Sequence, residues 1–139
     1  MKHLLGSMLL ILAACTSPES EVEKNTAVAQ KLFEAFNKHN WKAMSELYAE
    51  PAQFLDPSFG PEVVIKSRSE TIAKYSEMQA AFPDVQDAVQ NIYPSGETVT
   101  IEFISTGTAP DGTKFSLPIV SILTIRDGLI VKDATYYDL

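Results

Sequence analysis

The sequence predicts an α+β domain: three N-terminal helices packed on a curved, mostly antiparallel sheet, closing a cone-shaped α+β barrel. Three observations carry this. Apolar residues of the first half recur at helical spacing, those of the second half run in strands, and the change falls once, near Pro83. A length of 139 residues suits one domain.

The first segment lies outside that domain. Met1 to Cys15 has a positive start and an apolar run too short to span a bilayer, which reads as a signal peptide. Its ending, Leu12-Ala13-Ala14-Cys15, resembles the lipobox of bacterial lipoproteins. That resemblance implies removal of residues 1–14, lipidation of Cys15 and a membrane partner through the lipid. It places the protein in the bacterial cell envelope, at the outer membrane, facing the periplasm or the surface. Cys15 is the only cysteine, so neither an intrachain disulfide nor a cysteine metal site is expected. Residues 15–24 are polar and acidic and read as a tether. Residues 25–139 form the domain. Losing Lys2 moves the formal charge from −7 to −8. An acidic chain with scattered cations excludes nucleic acid as an expected partner.

A first helix is expected from about Asn25, its stripe being Val22, Ala29, Leu32, Phe33 and Phe36. Asn40 caps a second, short helix carrying Trp41, Met44, Leu47 and Tyr48, which stops before Pro51. Ala52 to Asp56 is a short strand with Phe54 and Asp56 on one face, ended by Pro57. Ser58 to Lys66 is a loop at a pocket mouth. Ser69 caps a third helix with Ile72, Tyr75, Met78 and Phe82 on its stripe, stopped by Pro83. Four strands follow as an antiparallel meander: 85–93, 98–108 and the two arms of a hairpin joined at Arg126-Asp127-Gly128.

Two registers are open for that hairpin. A three-residue loop with Gly128 as bulge puts Leu117, Ile119, Ser121, Leu123 and Ile125 on one face with Leu129, Val131, Asp133, Thr135 and Tyr137. Ser121 then sits opposite Asp133, and Val120, Ile122, Ile130 and Tyr136 form an outer apolar face suited to a homodimer. A two-residue Asp-Gly turn sends Asp133 to the other side.

The motifs Leu32-Phe-Glu-Ala-Phe-Asn37, Phe54-Leu-Asp-Pro57, Ala81-Phe-Pro-Asp84 and Arg126-Asp-Gly-Leu-Ile130 resemble the nuclear transport factor 2-like superfamily, in particular its SnoaL-like and ketosteroid-isomerase-like members. The resemblance runs from about Asn25 to Asp138. It implies pairing of two copies through the convex sheet face, and a fold that hosts isomerases, cyclases, dehydratases and binding modules. Asp56 falls where ketosteroid isomerases carry their base. The oxyanion-hole tyrosine and acid of those enzymes correspond to Leu32 and Ser121, so a steroid isomerase is disfavoured.

One histidine in the domain, His39, and no glycine-rich phosphate loop leave carboxylate chemistry, without cofactor or metal. Asp56 and Asp133 are the candidate catalytic acids. Leu32, Phe54, Tyr75, Ser121, Leu123, Thr135 and Tyr137 are the candidate pocket lining. For each acid a structural reading stands beside the functional one; for Asp56 it is a turn cap on a local N–H. The expected partner is a small hydrophobic ligand, bound by a lipid-anchored module or turned over by a cofactor-free isomerase, cyclase or dehydratase.

Overall fold

The computed structural model describes residues 20–138. The expected signal peptide, Cys15 and half of the expected tether (15–19) lie outside these residues. The architecture is three helices packed on a six-stranded, mostly antiparallel open sheet.

Helix α1 spans Glu21–Asn37 and starts earlier than expected, because Ser20 and Glu23 form a capping box. The last four residues of the supposed tether are therefore helical. Helix α2 is only Trp41–Ser45, capped by the side chain of Asn40. Leu47 and Tyr48 do not extend it. The Leu47 carbonyl accepts from the Ile130 amide at 2.9 Å, and the Tyr48 carbonyl accepts from Arg68 Nη2 at 2.8 Å. Their backbone groups are thus committed to the sheet and to α3, and Tyr48 opens β1 (Tyr48–Leu55).

A 3-10 turn at Pro57–Phe59 leads to β2 (Val64–Lys66), a strand not foreseen in the 58–66 loop. Helix α3 (Arg68–Ala81) is capped by Ser67, not Ser69; Ser67 and Glu70 make the reciprocal capping bonds. Then come β3 (Gln86–Ser95), β4 (Thr98–Thr108), β5 (Lys114–Arg126) and β6 (Leu129–Tyr136). The strand order is β2-β1-β6-β5-β4-β3. The meander is present, extended by β1, which pairs in parallel with β6. Strand β3 accommodates Pro94 because it is an edge strand, where a missing N–H breaks no ladder.

The hairpin between β5 and β6 combines features of the two expected registers. Asp127 and Gly128 both have positive φ, 50° and 77°, and Arg126 pairs with Leu129, so the turn is the two-residue one. That turn alone would point Asp133 outward. A bulge then intervenes: Ile125 pairs with Ile130 and Thr124 with Lys132, leaving Val131 as the extra residue. Asp133 is turned back inside, opposite Leu123, and Ser121 faces Thr135 instead of Asp133. The two-residue turn itself, by pairing Ile130 with buried Ile125, brings Ile130, expected on the outer face, into the core.

Val99, Ile101, Leu123, Ile125 and Ile130 are fully buried and fill the closed end of the cone. Burial of each such side chain contributes about 1.5–3 kcal/mol. Phe33 of α1 meets Phe103 of β4 edge-on at 4.8 Å, and Trp41 stacks between His39 at 5.3 Å and Tyr75 at 5.6 Å. The helices thus cover the concave face at the closed end and stand off from it toward the other, where a cavity opens.

Candidate functional site

The cavity measures about 940 Å³ and lies between α1, α3 and the concave face of the sheet. Leu32, Asp56, Tyr75, Ser121, Asp133, Thr135 and Tyr137 line it. Phe54 and Leu123 do not. Phe54 is 3% exposed and packed between Tyr48 and Phe59, and Leu123 is 0% exposed in the core layer behind.

Asp133 is a buried polar group of one wall, 6% exposed. Tyr48 donates its hydroxyl to Asp133 Oδ2 at 2.7 Å, and Thr135 donates to Oδ1 at 3.1 Å. Thr135 and Ser121 are 2.7 Å apart, completing a chain of four side chains across β1, β6 and β5. Burial raises the Asp133 pKa above the ordinary aspartate range, and the bonds from Tyr48 and Thr135 offset this only in part. Burial and the neighbouring carboxylate push the Tyr48 hydroxyl well above its usual range, so it stays a donor. Tyr48 was expected to be a core helical residue. Its partnership with Asp133 was not visible in the sequence because it depends on β1 beginning at Tyr48.

Asp56 is both a cap and a cavity residue. Its Oδ1 accepts from the Ser58 amide at 2.8 Å, the Ser58 hydroxyl at 2.6 Å and the Tyr137 hydroxyl at 2.9 Å. Its Oδ2 accepts from Lys74 Nζ at 2.8 Å, in a pair whose side chains are mostly buried. Burial pushes its pKa up, but the Lys74 charge and the Lys74 and Ser58 hydrogen bonds outweigh this, and the net shift is downward. The same contact acts on Tyr137, whose pKa burial and Asp56 push up to about 12. Lys74 also lies over the Phe59 ring, 4.0 Å from its centroid. No apolar stripe or turn motif drew attention to Lys74; only its place on the cavity side of α3 does.

Tyr75 lines the cavity with its pKa raised well above the usual range, by burial and then by Asp133, Asp56 and Asp87 in turn. Its hydroxyl makes no hydrogen bond among the described residues. Asp87 on β3 is a third cavity acid, absent from the sequence reading. Its signal was present: Asp87 stands between Val85 and Val89 at alternate positions, an acid on an apolar strand face. Among the described residues, no group of three or more His, Cys, Asp and Glu side chains is placed to hold a metal ion. No helix among them is long and apolar enough to cross a membrane.

The model of the SnoaL-like domain family matches residues 29–132. No curated protein matches the chain. Among solved structures, IdmH of Streptomyces antibioticus, a proposed polyketide cyclase, is 28% identical with a TM-score of 0.73, covering 82% of this chain and 91% of its own. A Catenulispora acidiphila protein with a ketosteroid isomerase-like fold, solved with trimethylamine, is 23% identical with a TM-score of 0.73, covering 81% and 85%. A proposed polyketide cyclase from Xanthomonas campestris is 23% identical with a TM-score of 0.72, covering 86% and 93%. The latter two likenesses, under a quarter identical, establish the fold.

The contrast between Asp56 and Asp133 makes a prediction in stability. Asp56→Asn removes a charge partner from mostly buried Lys74 and weakens a cap, and should cost about 1–3 kcal/mol at neutral pH. Asp133→Asn removes a buried charge while its amide oxygen can still accept from Tyr48 and its amide nitrogen can donate to Thr135 Oγ1, and should leave stability unchanged or raised. The pH dependences are opposite in sign. The lowered Asp56 contributes stability above the ordinary aspartate pKa of about 4, and this is lost as pH falls through its folded value. The raised Asp133 favours the protonated form, so its cost is relieved as pH falls through its own higher value. Melting curves of the two variants from acid to neutral pH check both; equal losses for the two would contradict the assignment.

Proposed function

The chain belongs to the SnoaL-like domain family, and we propose that it uses the cavity to bind a small, largely apolar ligand. The observation that supports binding over catalysis most directly is the state of Asp56. A base must have a free lone pair aimed at the substrate and a pKa suited to taking a proton. Asp56 accepts four hydrogen bonds, is paired with Lys74 and is shifted downward. What the cavity still offers a ligand is apolar surface from Leu32, Phe36, Met78 and Ile119, and the free hydroxyl of Tyr75. That hydroxyl suits a carbonyl, ether or alcohol oxygen on the ligand.

A second reading, a cofactor-free enzyme of the isomerase, cyclase or dehydratase kind, is favoured by one feature. Asp133 lines the same cavity with its pKa raised by burial, which suits a group that exchanges protons with a ligand. In this reading Asp133 exchanges the proton and Tyr75 donates to the oxygen on which charge develops. The proposed cyclase activity of its structural relatives is consistent with this class.

We also propose attachment to the bacterial cell envelope through lipid on Cys15, supported by the Leu12-Ala13-Ala14-Cys15 sequence. Two copies would pair through the outer sheet face. Val120 pairs with Tyr136 and Ile122 with Ala134 on that face, and Tyr136 is 50% exposed.

Ligand binding is tested with N-phenyl-1-naphthylamine, a neutral apolar fluorophore. It should bind saturably at one site per chain, and Ala73→Trp, which adds a large ring at the exposed α3 rim of the cavity, should weaken the fluorescence enhancement without lowering the melting temperature. An unchanged signal in that variant would place the fluorophore elsewhere. For the second reading, solvent deuterium should enter a bound cyclic ketone in the wild type and not in Asp133→Asn; absence of exchange in both removes it. Cys15→Ser should leave the protein unprocessed or mislocalised, and normal processing with membrane retention would overturn the anchor. Light scattering at micromolar concentration should give the mass of two copies; one copy would overturn the pairing.

A further inference from the structure

Neither reading above uses Asp87. It projects from the concave side of β3, opposite Ser105 of β4, whose partner on β5 is Leu117. The residue is 8% exposed, lines the cavity, and has its Oδ1 buried with no hydrogen-bond partner among the described residues. Its main chain, by contrast, is clamped. The Asp87 amide donates to Asn37 Oδ1 at 2.8 Å, and its carbonyl accepts from Asn37 Nδ2 at 2.8 Å. Helix α1 thereby fixes the backbone from which the side chain projects, and a carboxylate with one buried oxygen unpartnered, eased only by the neighbouring Ser105 hydroxyl, is held in the cavity wall. Such a group is costly unless something that enters the cavity completes it.

The surroundings specify the charge of that partner. Six acids line the cavity (Asp56, Glu70, Glu77, Asp87, Asp133 and Asp138) against two lysines. Both lysines are taken, Lys74 by Asp56 and Lys66 by Glu70. Ser105 of β4 is paired with Asp87, and the cavity lining also includes Phe33 and Phe36 of α1, Phe103 of β4 and Leu117 of β5. The titratable neighbours are the Tyr75 hydroxyl of α3, whose ionisation Asp87 opposes, and His39, whose Nε2 is 2.8 Å from the Val85 carbonyl. No cation pairs with Asp87 among the described residues. Burial pushes the Asp87 pKa up to about 6, so the carboxylate is mainly ionised at neutral pH.

We propose that Asp87 is the recognition site for a protonated aliphatic amine, whose ammonium donates to the Asp87 carboxylate and the Ser105 hydroxyl while its apolar body fills the cavity. This rests on the ligand-binding reading and names the chemical class of that ligand. An alcohol at the same place could donate one hydrogen bond but would leave the charge uncompensated. A carboxylate would be repelled by the acids of the lining.

The test is calorimetric titration of the purified protein with n-decylamine, 1-decanol and decanoate, which share a chain and differ in head group. At about pH 7.5, decylamine should bind the wild type about tenfold or more tighter than decanol, with decanoate weakest. In Asp87→Asn the amine preference should collapse toward parity while decanol affinity stays within about twofold. The wild type gives an independent arm. Between about pH 7.5 and pH 5 the amine stays protonated, Asp87 titrates through about 6, and the preference should shrink. Equal affinity for amine and alcohol in the wild type overturns the proposal. So does a preference that survives in Asp87→Asn, which would assign the cation to Asp56 or Asp133. Decanol binding without an amine preference sinks this inference alone, whereas no binding of either sinks the ligand reading with it.

Discussion

The hydrogen bond from Tyr48 to Asp133, 2.7 Å and wholly buried, is the contact on which the layout of the cavity depends. It ties the first residue of β1 to the middle of β6, beside the only parallel pairing among the described residues. Three local choices make it. The chain must leave α2 at Ser45 so that Tyr48 can start a strand. Strand β1 must lie parallel to β6, and the bulge at Val131 must turn Asp133 inward. Once made, the bond marks where the dry core stops: Leu123, Ile125 and Ile130 pack behind it, and Ser121, Thr135 and the cavity lie in front. A buried carboxylate without Tyr48 and Thr135 would be costly enough to favour another register.

Three of the six acids that line the cavity occupy three different electrostatic states, because each has different partners. Asp56 has a cation and three donors on its other oxygen, and is held low. Asp133 has two neutral donors in a fully buried place, and is raised. Asp87 has a clamped backbone and an oxygen with no partner, and is pushed up to about 6. Sequence position alone would rank Asp56 first, because of its place in the Leu-Asp-Pro motif. The geometry redirects attention to the other two, since a carboxylate already satisfied by Lys74 and Ser58 has little left for a ligand.

The order of elements was legible because helical stripes and alternating strands leave different periodicities on either side of Pro83. The seven cavity residues that line as expected came from strand parity and helix stripes. Parity counting failed where the chain departs from a regular ladder. The Asp127-Gly128 turn and the Val131 bulge each invert the facing, and together they restore it, so Asp133 points inward with a different opposite residue. Phe54 and Leu123 have the right parity but lie one layer too deep, which no local pattern encodes. Asp87 alternates with Val85 and Val89, which places it on the inner face, but it belongs to no motif that marks it apart from other strand acids. The Tyr48–Asp133 pair joins residues 85 positions apart and could not be read before the parallel β1–β6 pairing was known.

The measurement that addresses this account most directly is a carbon-detected NMR titration of the aspartate side chains in the folded protein. Asp56 should titrate below an ordinary aspartate, Asp87 near 6 and Asp133 above the ordinary range. That order would show that one cavity holds three acids in three states set by Lys74, by an unpaired oxygen and by the Tyr48 bond. Three ordinary aspartate titrations, or Asp56 as the highest of the three, would contradict it.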